Sequence, residues 1–81
     1  MPPRVPTTRA GLGDRWLAGE TLDGVTFALN DAVEVTAGRL RGALGTITLL
    51  MAVAPEPLYL VRLASGAGDA RIRQSDLRGS T

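Results

Sequence analysis

The feature that most constrains this chain is a strand pattern broken by glycine. From Asn30 to Leu50 it reads Asn-Asp-Ala-Val-Glu-Val-Thr-Ala-Gly-Arg-Leu-Arg-Gly-Ala-Leu-Gly-Thr-Ile-Thr-Leu-Leu. Val33 and Val35 face one way and Glu34 and Thr36 the other, the period of a half-buried strand. Gly38, Gly42 and Gly45 then punctuate the chain, as a loop needing positive φ or close backbone approach would require. Two strands joined by such a loop cannot bury themselves alone. The rest of the chain has to supply further strands.

It does so in order. Ile47, Leu49 and Met51 share a parity over Gly45 to Ala54, the expected second strand. Ala54-Pro55-Glu56-Pro57 is a stiff connection that excludes helix and ladder bonding at its prolines. Tyr59, Val61 and Leu63 alternate through a third strand, Leu58 to Leu63. Ser65-Gly66-Ala67-Gly68-Asp69 reads as a turn, and Ala70 to Arg73 as a fourth strand with Ile72 inward. Gln74-Ser75-Asp76-Leu77 reads as one helical turn whose Leu77 plugs an end of the fold. Upstream, Asp23-Gly24 signals a tight turn, and Val25, Phe27 and Leu29 suggest a short strand after it.

Apolar residues never recur at helical spacing for more than a turn or so. Several short strands with Gly/Pro turns mean an all-β sandwich or barrel. With 81 residues there is room for one domain. A small, partly open barrel of about five short strands is the economical answer, because closing the sheet limits its exposed edges. The expected organisation is a flexible, Pro-rich tail over 1–14, the barrel over 15–78, and a frayed end over 79–81. No apolar run approaches the length of a membrane span, and the first residues lack a signal-peptide pattern. The expectation is therefore a soluble, cytoplasmic protein with no membrane partner.

Composition removes most enzyme chemistry. With neither histidine nor cysteine, the commonest general base, the commonest metal ligand and the thiolate nucleophile are all missing. Glu20 with Asp23, and Asp69 with Asp76, sit in turns where capping roles suffice. No Gly-Lys-Ser/Thr follows the loop glycines, so they form no Walker-type phosphate loop. The chain reads as a non-enzyme with no cofactor and no metal. Its nine basic residues are all arginine, and the net charge of +1 argues for no particular polyanion.

Asp31-x-Val33-x-Val35 followed by Gly38-Arg39-x-Arg41-Gly42-x-x-Gly45-Thr46-Ile47 resembles the KOW motif of ribosomal large-subunit proteins and NusG-type transcription elongation factors. Asn30 stands where the family commonly has glycine, and Arg39 and Arg41 where it commonly has lysine. The second half, with Tyr59-x-Val61-x-Leu63 and Ser75-Asp76-Leu77, is similar to SH3-like barrels more generally, bacterial regulators and enzyme accessory subunits among them. The resemblance implies an SH3-like barrel. It leaves function open, because that fold hosts RNA binders, protein-docking modules and enzyme subunits alike.

Three surfaces are candidates. Arg39 and Arg41, between Gly38 and Gly42, could clamp phosphates of RNA or a ribosome, or simply be solvated. Arg62, Arg71 and Arg73 crowd the outward face of the last hairpin, where nearby carboxylates could pair with them. The third is apolar. If Ile47, Leu49 and Met51 fill the core, then Leu50, Ala52, Leu58 and Leu60 point outward. Trp16, Leu17 and Leu22 could cover that patch, or a protein partner or a second copy of the chain could. The leading expectation is a protein-docking module that uses Leu50, Leu58 and Leu60, rimmed by Arg62 and Arg73. The alternatives are RNA binding through the glycine loop and a role as accessory subunit of a larger enzyme.

Overall fold

The computed structural model describes residues 11–80. Helix α1 (Gly11–Leu17) is followed by strands β1 (Ala32–Val35), β2 (Leu44–Ala52), β3 (Leu58–Leu63) and β4 (Asp69–Arg73). A 3-10 turn (Gln74–Asp76) then leads into β5 (Leu77–Gly79). The five strands form one antiparallel sheet in the order β4-β3-β2-β1-β5. The first four strands are a meander of neighbours, and the 3-10 turn carries β5 across to lie beside β1. The sheet is open, since β4 and β5 stand at its two edges and do not pair. This is the small all-β fold expected from the strand pattern.

One face of the sheet supplies the core. Val33 and Val35 of β1, Ile47 of β2, Tyr59, Val61 and Leu63 of β3, Ile72 of β4 and Leu77 of β5 are all buried in one cluster. The alternation expected for β1, β3 and β4 holds, and Leu77 closes the cluster as anticipated. Gly45 explains one feature of the glycine pattern. A Cβ there would lie 2.6 Å from Val61 Cγ1 and 2.7 Å from the Arg62 carbonyl oxygen, so only glycine lets β2 and β3 approach so closely.

Strand β2 departs from the expected parity. Its register against β3 slips between Ile47 and Leu49 and again between Leu50 and Ala52. Each slip places two residues of β2 opposite one of β3, the geometry of a β-bulge. Inward positions on β2 are therefore Ile47 and Leu50, three apart instead of two. Leu50 is 8% exposed, whereas Leu49 and Met51 are 39% and 40% exposed. The reading that put Leu50 outward and Leu49 and Met51 in the core is reversed, because a one-residue slip exchanges the faces of a strand. Thr48, the extra residue of the first slip, donates its hydroxyl to the Leu60 carbonyl at 3.0 Å.

The N-terminal part also differs from expectation. Residues 11–14 are helical, not tail, and the remainder of the expected tail, 1–10, lies outside the described residues. The segment 25–29 is irregular instead of a strand. Asp23 and Gly24 do form a turn, and Asn30, with φ 72°, turns the chain into β1. Asparagine is among the few side chains that tolerate that left-handed backbone. At the other end Gly79 belongs to β5 and the Ser80 N–H donates to the Ala32 carbonyl at 2.9 Å, so this end is paired, not frayed; Thr81 lies outside the described residues.

Helix α1 and the irregular segment before β1 cover the inner face of the sheet. Trp16, Leu22 and Phe27 are buried with Tyr59. The Phe27 and Tyr59 rings meet edge-on at 5.6 Å, and Trp16 lies 6.5 Å from Tyr59. Trp16 and Leu22 thus fill the core from the inner side of the sheet and not its outer face; Leu17 remains exposed. The buried polar atoms here are satisfied. Trp16 Nε1 donates to the Phe27 carbonyl at 2.8 Å. The Tyr59 hydroxyl donates to Gln74 Oε1 at 2.6 Å and accepts the Phe27 N–H at 3.2 Å. Gln74 also accepts from the Thr26 N–H and donates to the Gly24 carbonyl. Burial pushes the Tyr59 phenol above its usual range, against the pull of the Phe27 and Thr26 backbone. Among the described residues, no helix is long and apolar enough to cross a membrane.

Candidate binding cleft

The opposite end of β1 is built differently. After Val35 the chain enters the glycine loop, which is folded tightly on itself. The Gly42 N–H donates to the Val35 carbonyl at 2.7 Å, Val35 N–H to Ala43 at 2.9 Å, and Ala43 N–H to Leu40 at 2.8 Å. Gly42, at φ 91°, supplies the left-handed residue this return requires. The Thr36 N–H reaches the Asp76 carbonyl at 2.8 Å, tying the loop to the 3-10 turn.

Between this loop and the free edge of β4 lies a cleft of about 500 Å³, within the size range of ligand sites. Its floor is apolar: Val35, Leu40 and Ile72. Its rim is cationic. Arg39 comes from the loop, Arg71 and Arg73 from β4, and Asp76 is the single carboxylate beside them. Arg73 Nη2 sits 3.0 Å from Asp76 Oδ2, and that hydrogen bond raises the Arg73 pKa further. Among the described residues, Arg39 and Arg71 form no ion pair, and neither does Arg41. Other arginines are engaged: Arg62 lies 3.7 Å from Asp69, and Arg78 makes two hydrogen bonds to Glu34 at 2.7 and 3.0 Å.

The structure redistributes the candidate residues. Arg39 and Arg73, expected on separate surfaces, meet in the cleft. Arg39 and Arg41, expected to act as a pair, part company. Arg41 lines a smaller hollow of about 280 Å³ with Gly42, Glu34 and Arg78. Gly38 and Gly42 are exposed and shape the backbone. On the outer face of the sheet, Leu58 and Leu60 are half-buried, and Leu50, which lies in the core, is removed from the patch.

The register assembles that outer face into rows. Leu49, Leu60 and Arg71 lie side by side across β2, β3 and β4, as do Ala52, Leu58 and Arg73. Each row runs from apolar to cationic. Leu49, Met51 and Leu40 are the residues of these surfaces that strand alternation missed. Only the bulges turn Leu49 and Met51 outward. Among the described residues, no group of three or more acidic side chains is placed to hold a metal.

No protein-family model matches the chain, and a search of the curated proteins finds no match.

Proposed function

We propose that the chain is a non-enzymatic, cytoplasmic interaction module that docks on a protein partner through the outer face of β2, β3 and β4. The observation that carries this reading is the pair of rows Leu49–Leu60–Arg71 and Ala52–Leu58–Arg73. Leu49 is exposed and Leu58 and Leu60 are half-buried, whereas Trp16 and Leu22 are used in the core cluster on the inner face. An apolar strip with an arginine border is the composition of a protein interface core and rim. The strand order, with a 3-10 turn delivering β5 beside β1, supports the likeness to SH3-like barrels.

The test is affinity capture with the wild-type chain and with a Leu49→Ser/Leu60→Ser variant, both checked for a folded spectrum, from nuclease-treated extracts. A protein held by the wild type and lost with the folded variant supports the reading. Equal capture by both contradicts it. Sedimentation of the free chain, run alongside, identifies a second copy as the occupant if the wild type dimerises and the variant does not.

A second reading, KOW-type RNA binding through the glycine loop, is supported by two observations. Arg39 and Arg41 lack ion pairs among the described residues, and Asn30 takes a left-handed backbone where that family has glycine. Neutralising phosphates releases counterions, so RNA affinity would fall steeply with salt. Unchanged affinity in an Arg39→Gln/Arg41→Gln variant would remove this reading.

A further inference from the structure

Among the described residues, strand β4 has one hydrogen-bonded neighbour, β3, and its other edge is unpaired. The register says which backbone groups that edge presents. The Gln74 N–H donates to the Pro57 carbonyl and the Leu63 N–H to the Gly68 carbonyl. In an antiparallel pair the hydrogen-bonded positions recur every second residue, so Ile72 with Tyr59 and Ala70 with Val61 complete the ladder. The N–H and C=O groups of Asp69 and Arg71 therefore point away from β3, into the side where the cleft lies. So does the N–H of Arg73. An edge of this kind is a template for another strand.

We infer that the β4 edge takes an extended, acidic peptide segment as a sixth strand, with one apolar side chain of that segment entering the cleft between Leu40 and Ile72. The inference rests on the protein-docking reading and names what its β4 side accepts. Charge complementarity selects the occupant. Three guanidiniums (Arg39, Arg71 and Arg73) face the cleft against one carboxylate, Asp76, and Arg39 and Arg71 have no ion-pair partner among the described residues. A strand alternates its side chains between two faces, so a segment of alternating acidic and apolar residues meets the arginines with one face and the cleft floor with the other. Main-chain hydrogen bonds would supply affinity and the pocket selectivity.

A nucleic acid fits this place less well. Its backbone cannot pair with a strand edge. Trp16, Phe27 and Tyr59, the chain's three aromatic residues, are all in the core, so no ring is free to stack a base. Arg41, the other loop cation, faces a different hollow.

The experiment is an amide-resolved NMR titration of the full chain with three probes. These are a capped Glu-Val-Glu-Leu-Glu-Val-Glu peptide, its analogue with glutamine for every glutamate, and a ten-nucleotide oligouridine. The expected result is a shift of the amides of Asp69–Arg73 and Arg39–Leu40 with the acidic peptide. Affinity should fall at least about tenfold with the glutamine analogue, in Arg39→Gln/Arg71→Gln, and in Arg71→Pro. The proline removes an edge N–H that the β3 ladder does not use; where it unfolds the chain, the double glutamine variant carries the test. Peptide shifts confined to the Leu49 and Leu60 face would overturn the inference and leave the docking reading standing. Oligouridine shifts at the glycine loop with no response to the peptide would overturn both. An absence of response to the peptide at millimolar concentration would overturn the inference.

Discussion

The two ends of β1 make a useful contrast. At its start, around Asn30, the chain covers its own core. Trp16, Leu22 and Phe27 seat on Tyr59, and Gln74 gathers the backbone of Gly24 and Thr26 with the Tyr59 hydroxyl. Every buried polar atom named there has a partner, as burial demands. At its finish, beyond Val35, the chain folds an equally tight loop but leaves a cleft. Among the described residues, Arg39 and Arg71 stand at its rim without an ion pair, and the β4 edge stands without a neighbouring strand. Among the described residues, the aromatic side chains go to the first end and the arginines without an ion pair, Arg39, Arg41 and Arg71, to the second. Where a small fold fills a gap with its own chain, the gap is about stability. Where it lines the gap with unpartnered charge, the gap is available to something else.

Substitutions can break this contrast. Trp16→Ala should cost about 3–5 kcal/mol, the range for removing a large buried aromatic, whereas Leu40→Ser in the cleft should change stability by about 0.5 kcal/mol or less. Urea unfolding measures both, and comparable losses would mean the cleft is structural. Next in size, Leu50→Ala should cost about 2–5 kcal/mol and Leu49→Ala less than about 1 kcal/mol. Uninterrupted alternation through β2 demands the reverse order, so this pair tests the bulges directly.

A smaller effect sharpens the closed end. Tyr59→Phe removes the hydroxyl that bridges Phe27 and Gln74 and should cost about 1–3 kcal/mol. It should also remove a pH dependence. The folded phenol has its pKa raised above 10.0, chiefly by burial. Between the unfolded and folded values the native state holds the proton more tightly, so stability is full below about pH 10 and falls as pH rises through the folded value. The chain has no lysine, no cysteine and only this one tyrosine, which leaves that window free of other side-chain titrations. Denaturation midpoints from pH 8 to 11 should decline for the wild type and stay flat for Tyr59→Phe. The smallest effect belongs to the open end. Arg39→Gln and Arg71→Gln should leave stability within about 0.5 kcal/mol of wild type, since neither guanidinium has an ion-pair partner among the described residues.

Much of the fold was legible because its signals are local. Val33 and Val35, or Tyr59, Val61 and Leu63, announce their face by alternation alone, whereas Gly45 reads only as a loop glycine suited to positive φ or close approach, and its contact with β3 comes from the fold. The face of Leu49, Leu50 and Met51 was not legible. Five consecutive residues from Ile47 to Met51 include four apolar ones, and either parity buries a plausible set. The slips that decide between them are set by pairing with β3, a partner close in sequence but invisible to periodicity. The segment 25–29 misleads for a similar reason. Its apolar residues alternate, but its backbone N–H groups go to side chains: those of Thr26 and Phe27 to the distant Gln74 and Tyr59, and that of Ala28 to the neighbouring Asp31 in a local turn. The cleft itself joins Arg39 to Arg71 and Arg73 across an edge that only the sheet order creates.

The most direct test of the contrast is native-state hydrogen exchange in the free protein, read residue by residue along β4. The ladder to β3 uses Ala70 and Ile72, and the edge presents Arg71. The account predicts alternation: the amides of Ala70 and Ile72 protected, that of Arg71 exchanging freely, and that of Phe27, held by the Tyr59 hydroxyl, protected at the closed end. Protection of Arg71 equal to that of Ile72 would contradict it, because the edge would then already be paired.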